Sequence, residues 1–265
     1  MKEQILKHLS PAYPWKEQLS CFSTIDSTND RLRALAKAGA PHGTALIADH
    51  QTGGHGRRGR SFHSPEGVGV YLSILLRPDC PASELMHLTC AAAVAMCDAV
   101  EASAGFRPGI KWTNDLVDRK RKLGGILTEL SFQPNGNVDW VIVGIGINCR
   151  QQPGDFPEDI RSMAGSLSMT AGCDIDRAKV AAAMLDALCT MSENLTDHKE
   201  TILNRYRADC ITLCQDIVLV RGDEKRYGYA LDIDAEGALV VRFADGHTEA
   251  VNSGEVSVRG MYGYV

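Results

Sequence analysis

Four strand-type segments follow one another in the middle of this chain, and they constrain its fold more than any other feature. They are apolar, contain many β-branched residues and occupy residues 109–112, 116–118, 123–132 and 138–147. The turn sequence Pro134-Asn135-Gly136-Asn137 separates the last two segments. An alanine-rich helical segment at 82–104 precedes these strands, and a second long helical segment at 176–197 follows them. The chain therefore predicts a run of neighbouring strands between two long helices.

The N-terminal part of the chain predicts a leader and a first helix. Residues 1–20 include two prolines and are expected to have little regular structure. Ser27 then predicts a helix start, because its hydroxyl can cap the helix and Asp30 stands three residues later. The sequence from Gly39 onward predicts the turn that ends this helix.

After residue 214 the pattern changes to short strands joined by glycine-containing turns. The strand segments occupy residues 217–220, 226–233, 238–243 and 247–251. This spacing predicts a small barrel-like β-module. We therefore expect three parts: a leader over residues 1–20, a larger domain over residues 21–213 and a small β-domain over residues 214–265.

Charge and hydropathy exclude several classes of protein. The 265-residue chain carries 28 Lys and Arg against 33 Asp and Glu, and this net charge of −5 argues against a general nucleic-acid binder. No apolar run reaches the roughly 18 residues of a membrane span, since Asp98 interrupts the best one at 90–100. The first residues show no apolar segment of the secretory type, so we expect no secretory signal, and we expect the nine cysteines to be reduced and mostly buried. These features predict a cytoplasmic protein without a membrane partner.

A loop between two strand segments, at residues 51–69, concentrates glycines and cations. Its centre is the stretch Gly54-His55-Gly56-Arg57-Arg58-Gly59-Arg60. Glycine lets a ligand approach the backbone, and arginine offers paired donors to phosphate or carboxylate. The stretch matches neither the P-loop nor the dinucleotide-binding pattern, so an exposed basic loop that contacts RNA is the alternative. We expect this loop to be disordered until an anion binds, because fixing glycines and mutually repelling arginines is entropically costly.

A second cluster of cations, Arg119-Lys120-Arg121-Lys122, directly precedes Gly124-Gly125. Lys122 is the last cation before a predicted strand, and the two glycines leave space for a ligand against that strand. A lysine at this position is suited to contact a phosphate oxygen. Arg119 and Lys120 fit a charged surface turn and are not assigned to a site.

Two further motifs carry side chains or spaces that a ligand could use. Lys111-Trp112-Thr113-Asn114-Asp115 combines a lysine, an amide and a carboxylate. By itself Asn114-Asp115 favours a turn; a functional role requires Mg²⁺ or an amine nucleophile that needs the carboxylate. Gly144 and Gly146 leave one face of a predicted strand without side chains, as expected beneath a flat ligand.

Taken in order, five motifs closely resemble those of the biotin–protein ligases. They are Ser27-Thr28-Asn29, residues 51–60, residues 111–116, residues 122–127 and Gly144 through Asn148. The family's usual forms are a GRGRRGR loop, KWPNDL, K-L-(A/G)-G-I-L and G-x-G-I-N. The resemblance is strong over residues 21–150. It implies an α+β fold, in which a mixed β-sheet with packed helices, of the class II synthetase-like biotin/lipoate ligase type, precedes a small SH3-like β-barrel.

Two positions depart from the family's pattern. His55 stands where the loop usually has arginine, which removes a cation at neutral pH. Thr113 replaces the usual proline, which changes backbone stiffness more than chemistry. The leader of about 20 residues is also too short for the winged helix-turn-helix of ligases that double as repressors, so the resemblance implies an enzyme that does not bind DNA.

The resemblance implies a two-step reaction that depends on ATP and Mg²⁺. Biotin carboxylate attacks the α-phosphate of ATP, which releases pyrophosphate and leaves biotinyl-5′-AMP. A lysine amine of a biotin carboxyl carrier protein then takes the biotin. A lipoate–protein ligase and a non-enzymatic vitamin-sensing or nucleic-acid-binding protein are the alternatives, and both a monomer and a homodimer are compatible with the sequence.

The resemblance also assigns roles to individual residues. As catalytic residues, Lys122 would bridge the biotin carboxyl and the α-phosphate, Arg57 would hold the adenylate and Asp115 would orient or deprotonate the acceptor lysine. The residues that the resemblance implies bind biotin are Ser27, Thr28, Asn29, Gln51, Gly54, His55, Gly56, Arg57, Lys122, Gly125, Leu127, Gly144 and Gly146. The residues that it implies bind ATP or the adenylate are Arg57, Arg58, Arg60, Lys111, Trp112, Asn114, Lys122, Asn148 and Arg259. No metal ligand is assigned, but Asn114 and Asp115 are expected near the Mg²⁺ of bound ATP.

Overall fold

The computed structural model describes residues 1–252 and 257–260, which form two β-sheets and the helices around them. The strands of the larger sheet are β1 (Leu19–Ile25), β2 (Ala45–Gln51), β3 (Gly69–Leu76), β4 (Gly109–Lys111), β5 (Asp115–Asp118), β6 (Arg121–Phe132) and β7 (Val138–Asn148). Their order across the sheet is β1-β2-β3-β7-β6-β5-β4. β1 and β2 run parallel and the other neighbours antiparallel, so the predicted mixed sheet is confirmed.

Helices cover both faces of this sheet. In the described part of the chain the α-helices are α1 (Lys2–His8), α2 (Thr28–Lys37), α3 (Leu88–Ala104), α4 (Leu167–Ala171), α5 (Arg177–Asn194) and α6 (Lys199–Asp209). Alternation along β3 separates two cores, since successive side chains of a strand point to opposite faces. Ile74 and Leu76 face the main core, which contains α3 and α5, whereas Leu75 packs with Leu32 and Ala36 of α2.

The first 20 residues are more regular than their sequence predicts. α1 occupies Lys2–His8, and β1 begins at Leu19. Ile5, Leu9 and Tyr13 are buried in the main core. The expected leader with little regular structure was therefore wrong, because a helix this short is stable only when it packs against the rest of the protein.

The alanine-rich segment at 82–104 is a core helix. Residues Ala82–Leu85 form a 3₁₀ turn, and α3 itself begins at Leu88. By length and composition alone the segment could cross a membrane, but most of its apolar window is buried inside the protein. A helix that is apolar on nearly all sides is typical of such a packed interior position.

The smaller sheet lies at the C-terminal end of the chain and confirms the predicted SH3-like module. Its strands are β8 (Asp216–Arg221), β9 (Glu224–Ile233), β10 (Leu239–Phe243), β11 (Thr248–Val251) and β12 (Ser257–Gly260), in the order β11-β10-β9-β8-β12. All neighbours are antiparallel. The turn before β10 contacts the turn between β4 and β5, because the Trp112 indole donates a hydrogen bond to the Gly237 carbonyl at 3.1 Å. The division into parts at residues 20 and 213 stays a prediction.

Candidate active site

A cleft opens where the N-terminus of α2, the loop after β2 and strands β6 and β7 meet. Its lining consists of Ser27, Thr28, Asn29, Gln51, His55, Gly56, Arg57, Phe62, Asn114, Lys122, Gly125, Ile126, Leu127, Gly144, Ile145 and Gly146. Apart from Gly54, every residue predicted to bind biotin belongs to this lining. Phe62, Ile126 and Ile145 also line the cleft, although the motifs gave no role to them.

The N-terminus of α2 supplies polar groups on one side of the cleft. Ser27 is the N-cap, as predicted, and its hydroxyl accepts a hydrogen bond from the Asp30 amide at 3.4 Å. The backbone amide of Thr28 donates to Gln51 Oε1 at 2.9 Å, and the Thr28 hydroxyl lies 3.0 Å from the same oxygen. Gln51 Nε2 in turn donates to the Ser64 hydroxyl at 3.1 Å. These contacts fix donors and acceptors side by side, which suits a ligand group that carries both N–H and C=O.

Ser73 is a buried polar residue beneath this cluster that the sequence motifs do not contain. It lies in β3, its Oγ is 2.7 Å from the Thr28 hydroxyl, and it donates to Asn29 Oδ1 at 2.6 Å. An amide oxygen only accepts, so the Ser73 proton goes to Asn29, and the Thr28 proton goes to Ser73 or Gln51. The available signal was one serine among the apolar and aromatic residues of this strand, since buried polar side chains have partners.

Two cations meet at the other side of the cleft. Lys122 Nζ donates to Asp115 Oδ1 at 2.6 Å across the neighbouring strands β5 and β6. Arg57 Nη1 donates to Asn114 Oδ1 at 2.9 Å, and Asn114 Nδ2 donates to the Ile126 carbonyl at 2.9 Å. Burial, partly offset by the negative charge of Asp115, lowers the pKa of Arg57. The arrangement presents two oriented positive charges to an anionic ligand.

Glycines 144 and 146 allow two side chains to approach β7 closely. A Cβ atom at Gly144 would overlap the amide of Asn29, and one at Gly146 would overlap the ring of Phe62. The sequence predicted that these glycines clear a face of the strand for a flat ligand. In this structure Asn29 and Phe62 approach that face. The glycines therefore make room for two side chains that line the cleft, as well as leaving a face of β7 without side chains of its own.

His55 joins the glycine-rich loop to α2. Its Nε2 lies 2.6 Å from Asp30 Oδ2, and Arg33 Nη1 donates to Asp30 Oδ1 at 2.8 Å. Burial alone would raise the pKa of Asp30, but hydrogen bonds from His55 and Arg33 outweigh it and lower that pKa. His55, which replaces the arginine usual in the family, therefore still forms a hydrogen bond with the Asp30 carboxylate of α2.

The other residues predicted to bind the nucleotide do not line the cleft. Arg58 and Arg60 are exposed on the loop. Lys111 and Trp112 are buried, and the Trp112 indole is used in the contact with Gly237 described above.

Asn148 is buried, and its Nδ2 donates to the Gly165 carbonyl at 2.9 Å. Arg259 lies in β12 opposite Val218, and its side chain is outside the described part of the structure.

Family models match both parts of the chain. Residues 21–148 match the biotin/lipoate A/B protein ligase family. Residues 215–259 match the biotin protein ligase C terminal domain. The first match includes every lining residue of the cleft, and the second includes strands β8 to β11.

Curated relatives and solved structures agree with these matches. The chain is 38% identical to the bifunctional ligase/repressor BirA of Bacillus subtilis over 238 residues, which cover 87% of this chain and 71% of that protein. It is 33% identical to the biotin–[acetyl-CoA-carboxylase] ligase of Mycobacterium tuberculosis, with 91% and 89% covered. Among structures, biotin protein ligase from Aquifex aeolicus in complex with biotin and ATP is 32% identical, with a TM-score of 0.75 over 91% of this chain and 98% of that one.

Proposed function

Because the chain belongs to the biotin/lipoate A/B protein ligase family, we propose that it activates biotin with ATP and transfers it to a lysine of a carrier protein. The observation that carries the proposal is the convergence of Lys122 and Arg57 on one side of a cleft whose other side holds the Thr28 and Gln51 amide cluster. Cations are required where two anions react, and fixed amide groups are required where a ureido ring binds.

The reaction proceeds in two displacements. A carboxylate oxygen of biotin attacks the α-phosphorus of ATP, and the bond from that phosphorus to the bridging oxygen of the β-phosphate breaks. Pyrophosphate leaves, and biotin becomes a mixed anhydride with AMP. The neutral amine of the acceptor lysine then attacks the anhydride carbonyl carbon, AMP leaves, and the amine loses a proton.

Lys122 is the residue that acts in the first displacement. Its ammonium group, held by Asp115 at 2.6 Å, lies in the cleft lining beside Gly125 and Arg57. From there it contacts the biotin carboxylate and an α-phosphate oxygen together and lowers the repulsion between them. Asp115 holds the lysine in place and is the carboxylate positioned to orient or deprotonate the acceptor amine in the second displacement.

Mg²⁺ would reach the cleft bound to ATP. Asn114 Oδ1 and Asp115 Oδ1 accept hydrogen bonds from Arg57 and Lys122, and the described residues include no group of three acidic, histidine or cysteine side chains that could hold a metal ion. Asn114 and Asp115 are the residues that would hold Mg²⁺, together with the phosphates of ATP and water. Such an ion would supply charge neutralisation for the leaving pyrophosphate.

The polar side of the cleft favours biotin over lipoate. The ureido ring of biotin carries two N–H groups and a carbonyl, which match the amide and hydroxyl groups of Thr28, Asn29 and Gln51. The dithiolane ring of lipoate carries neither, so it would cover these groups without adding a hydrogen bond to any of them, and such mismatches give large discrimination.

The test of the proposed function is pyrophosphate release from Mg-ATP with either biotin or lipoate and the purified protein. Release with biotin alone, followed by labelling of a biotin carboxyl carrier domain at one lysine, is the expected result. Release of pyrophosphate with lipoate alone would show that the protein is a lipoate–protein ligase. Absence of release with either compound would contradict ligase activity and leave a binding role for the basic loop.

We further propose that the natural acceptor is the carrier domain of a biotin-dependent carboxylase, and that the enzyme acts on it in the cytoplasm as a monomer or homodimer without binding DNA. The names of the relatives support the acceptor. Light scattering of the purified protein decides between monomer and homodimer, and a mobility shift at moderate salt tests DNA binding.

Replacing Arg57 by glycine is expected to release the adenylate from the enzyme about tenfold faster or more, because a guanidinium–phosphate hydrogen bond is charge-assisted and closes the cleft. Rapid gel filtration of enzyme incubated with biotin and Mg-ATP separates free from bound biotinyl-5′-AMP. Arg119→Gly is the matched control: Arg119 is an exposed arginine on a surface turn with φ of 45°, a conformation that glycine adopts readily. Equal retention in both variants would contradict the role of Arg57.

A further inference from the structure

A chain of charged hydrogen bonds runs from the glycine-rich loop to the wall of the cleft. His55 Nε2 contacts Asp30 Oδ2 at 2.6 Å, and Asp30 Oδ1 accepts from Arg33 Nη1 at 2.8 Å. Arg33 Nη2 donates to Glu129 Oε1 at 2.6 Å. Glu129 Oε2 accepts from Asn29 Nδ2 at 2.9 Å. The loop and the polar wall of the cleft are therefore connected without a break.

The donors and acceptors in this chain fix the orientation of the Asn29 amide. Glu129 is acceptor-only when ionised, so it must receive the NH₂ group of Asn29. The amide oxygen then points the other way, to the Ser73 hydroxyl at 2.6 Å. Without the Glu129 carboxylate, no acceptor-only group would fix which way the oxygen and the NH₂ group of the Asn29 side chain point.

Local structure explains why these residues meet. Asn29, Asp30 and Arg33 all lie on α2 shortly after its N-cap, and Asp30 and Arg33 are separated by three residues, so they share one face of the helix. Glu129 lies in β6 and reaches this face from the sheet. The loop supplies the His55 contact.

We propose that Arg33 and Glu129 are positioning residues that couple closure of the loop through His55 to the orientation of Asn29 in the biotin site. This inference rests on the proposed function, because it concerns the binding of biotin. Each carboxylate is shared between two donors, and charge-assisted hydrogen bonds in such a chain strengthen one another. The coupling is reciprocal: a ligand that requires the oriented amide favours the closed loop, and the closed loop retains that ligand.

The test is a double-mutant cycle on the dissociation rate of labelled biotin from the full chain, chased with unlabelled biotin. His55→Ala is expected to raise the rate about fivefold and Glu129→Gln about tenfold. If the two residues act through one chain, the double variant is expected to stay near tenfold, and an approach to the fiftyfold product of independent effects would overturn the coupling. Glu249→Gln is the matched control, since Glu249 also accepts from an arginine, Arg226, on an exposed strand far along the chain.

A rescue variant separates positioning from a general loss of structure. His55→Arg, which places a guanidinium donor opposite the Asp30 carboxylate, is expected to release biotin at close to the wild-type rate, whereas His55→Ala is expected to release it about fivefold faster. Equal rates in His55→Arg and His55→Ala would overturn the role of His55, and this comparison decides the matter if Glu129→Gln does not fold. If the wild-type protein does not bind biotin at all, the proposed function and this inference both fail. If it binds biotin but the effects of His55→Ala and Glu129→Gln on the dissociation rate multiply as independent effects, only this inference is overturned.

Discussion

Replacing Lys122 by alanine is expected to reduce biotin-dependent pyrophosphate release by about 1000-fold or more. Two effects act in the same direction. The variant lacks the cation that neutralises the reacting carboxylate and α-phosphate, a loss of the size seen when a preorganised charge-stabilising donor is removed. It also removes the ammonium group 2.6 Å from the Asp115 carboxylate, so that less positive charge offsets the repulsion between Asp115 and both anions.

Lys120→Ala is the matched control for this experiment. Lys120 precedes Lys122 by two residues, is exposed on the turn between β5 and β6, and does not line the cleft. We expect this variant to release pyrophosphate at the wild-type rate. Circular dichroism and the melting temperature check that Lys122→Ala is folded. A folded Lys122→Ala protein with native pyrophosphate release would show that another group neutralises the reacting anions.

The fold could be predicted from the sequence wherever local pattern and final environment agree. Ser27 caps α2 as predicted, and the four central strands appear within a few residues of their expected positions. β1 and α1 were missed because their residues obtain their stability from distant partners. Ile5 contributes one buried side chain to a short helix, and only packing against α5 and the sheet makes that helix stable.

The candidate site could be predicted only as far as its motifs extend. Asn29 and Lys122 lie within motifs, whereas Ser73 lies in a strand without a motif and Glu129 lies two residues beyond the motif at 122–127 of β6. Ser73 contacts Asn29 across 44 residues of sequence and Glu129 contacts it across 100. Such pairs are created by the register of β3, β7 and β6, which local sequence does not contain.

Replacing Gly144 by alanine is expected to raise the KM for biotin by about 100-fold and to leave the KM for ATP unchanged. The added Cβ would overlap the Asn29 amide, so that side chain must leave its position between Ser73 and Glu129. Asn29 would then lose two hydrogen bonds, one of them to a charged group, and the biotin site would lose a fixed amide. Because β7 itself keeps its strand geometry, the change falls on biotin binding more than on folding.

Gly154→Ala is the matched control, since a Cβ at that glycine meets no atom within 4 Å; it is expected to leave both KM values and the melting temperature unchanged. A sharper comparison combines Gly144→Ala with Asn29→Ala. If the alanine acts by displacing Asn29, the KM for biotin of the double variant should lie close to that of Asn29→Ala alone, because the side chain that the new methyl group strikes is no longer there. A double variant with the product of the two single effects would mean that Gly144 contacts biotin directly, and the close approach of Asn29 to β7 would then be a feature of the empty cleft rather than of the working site.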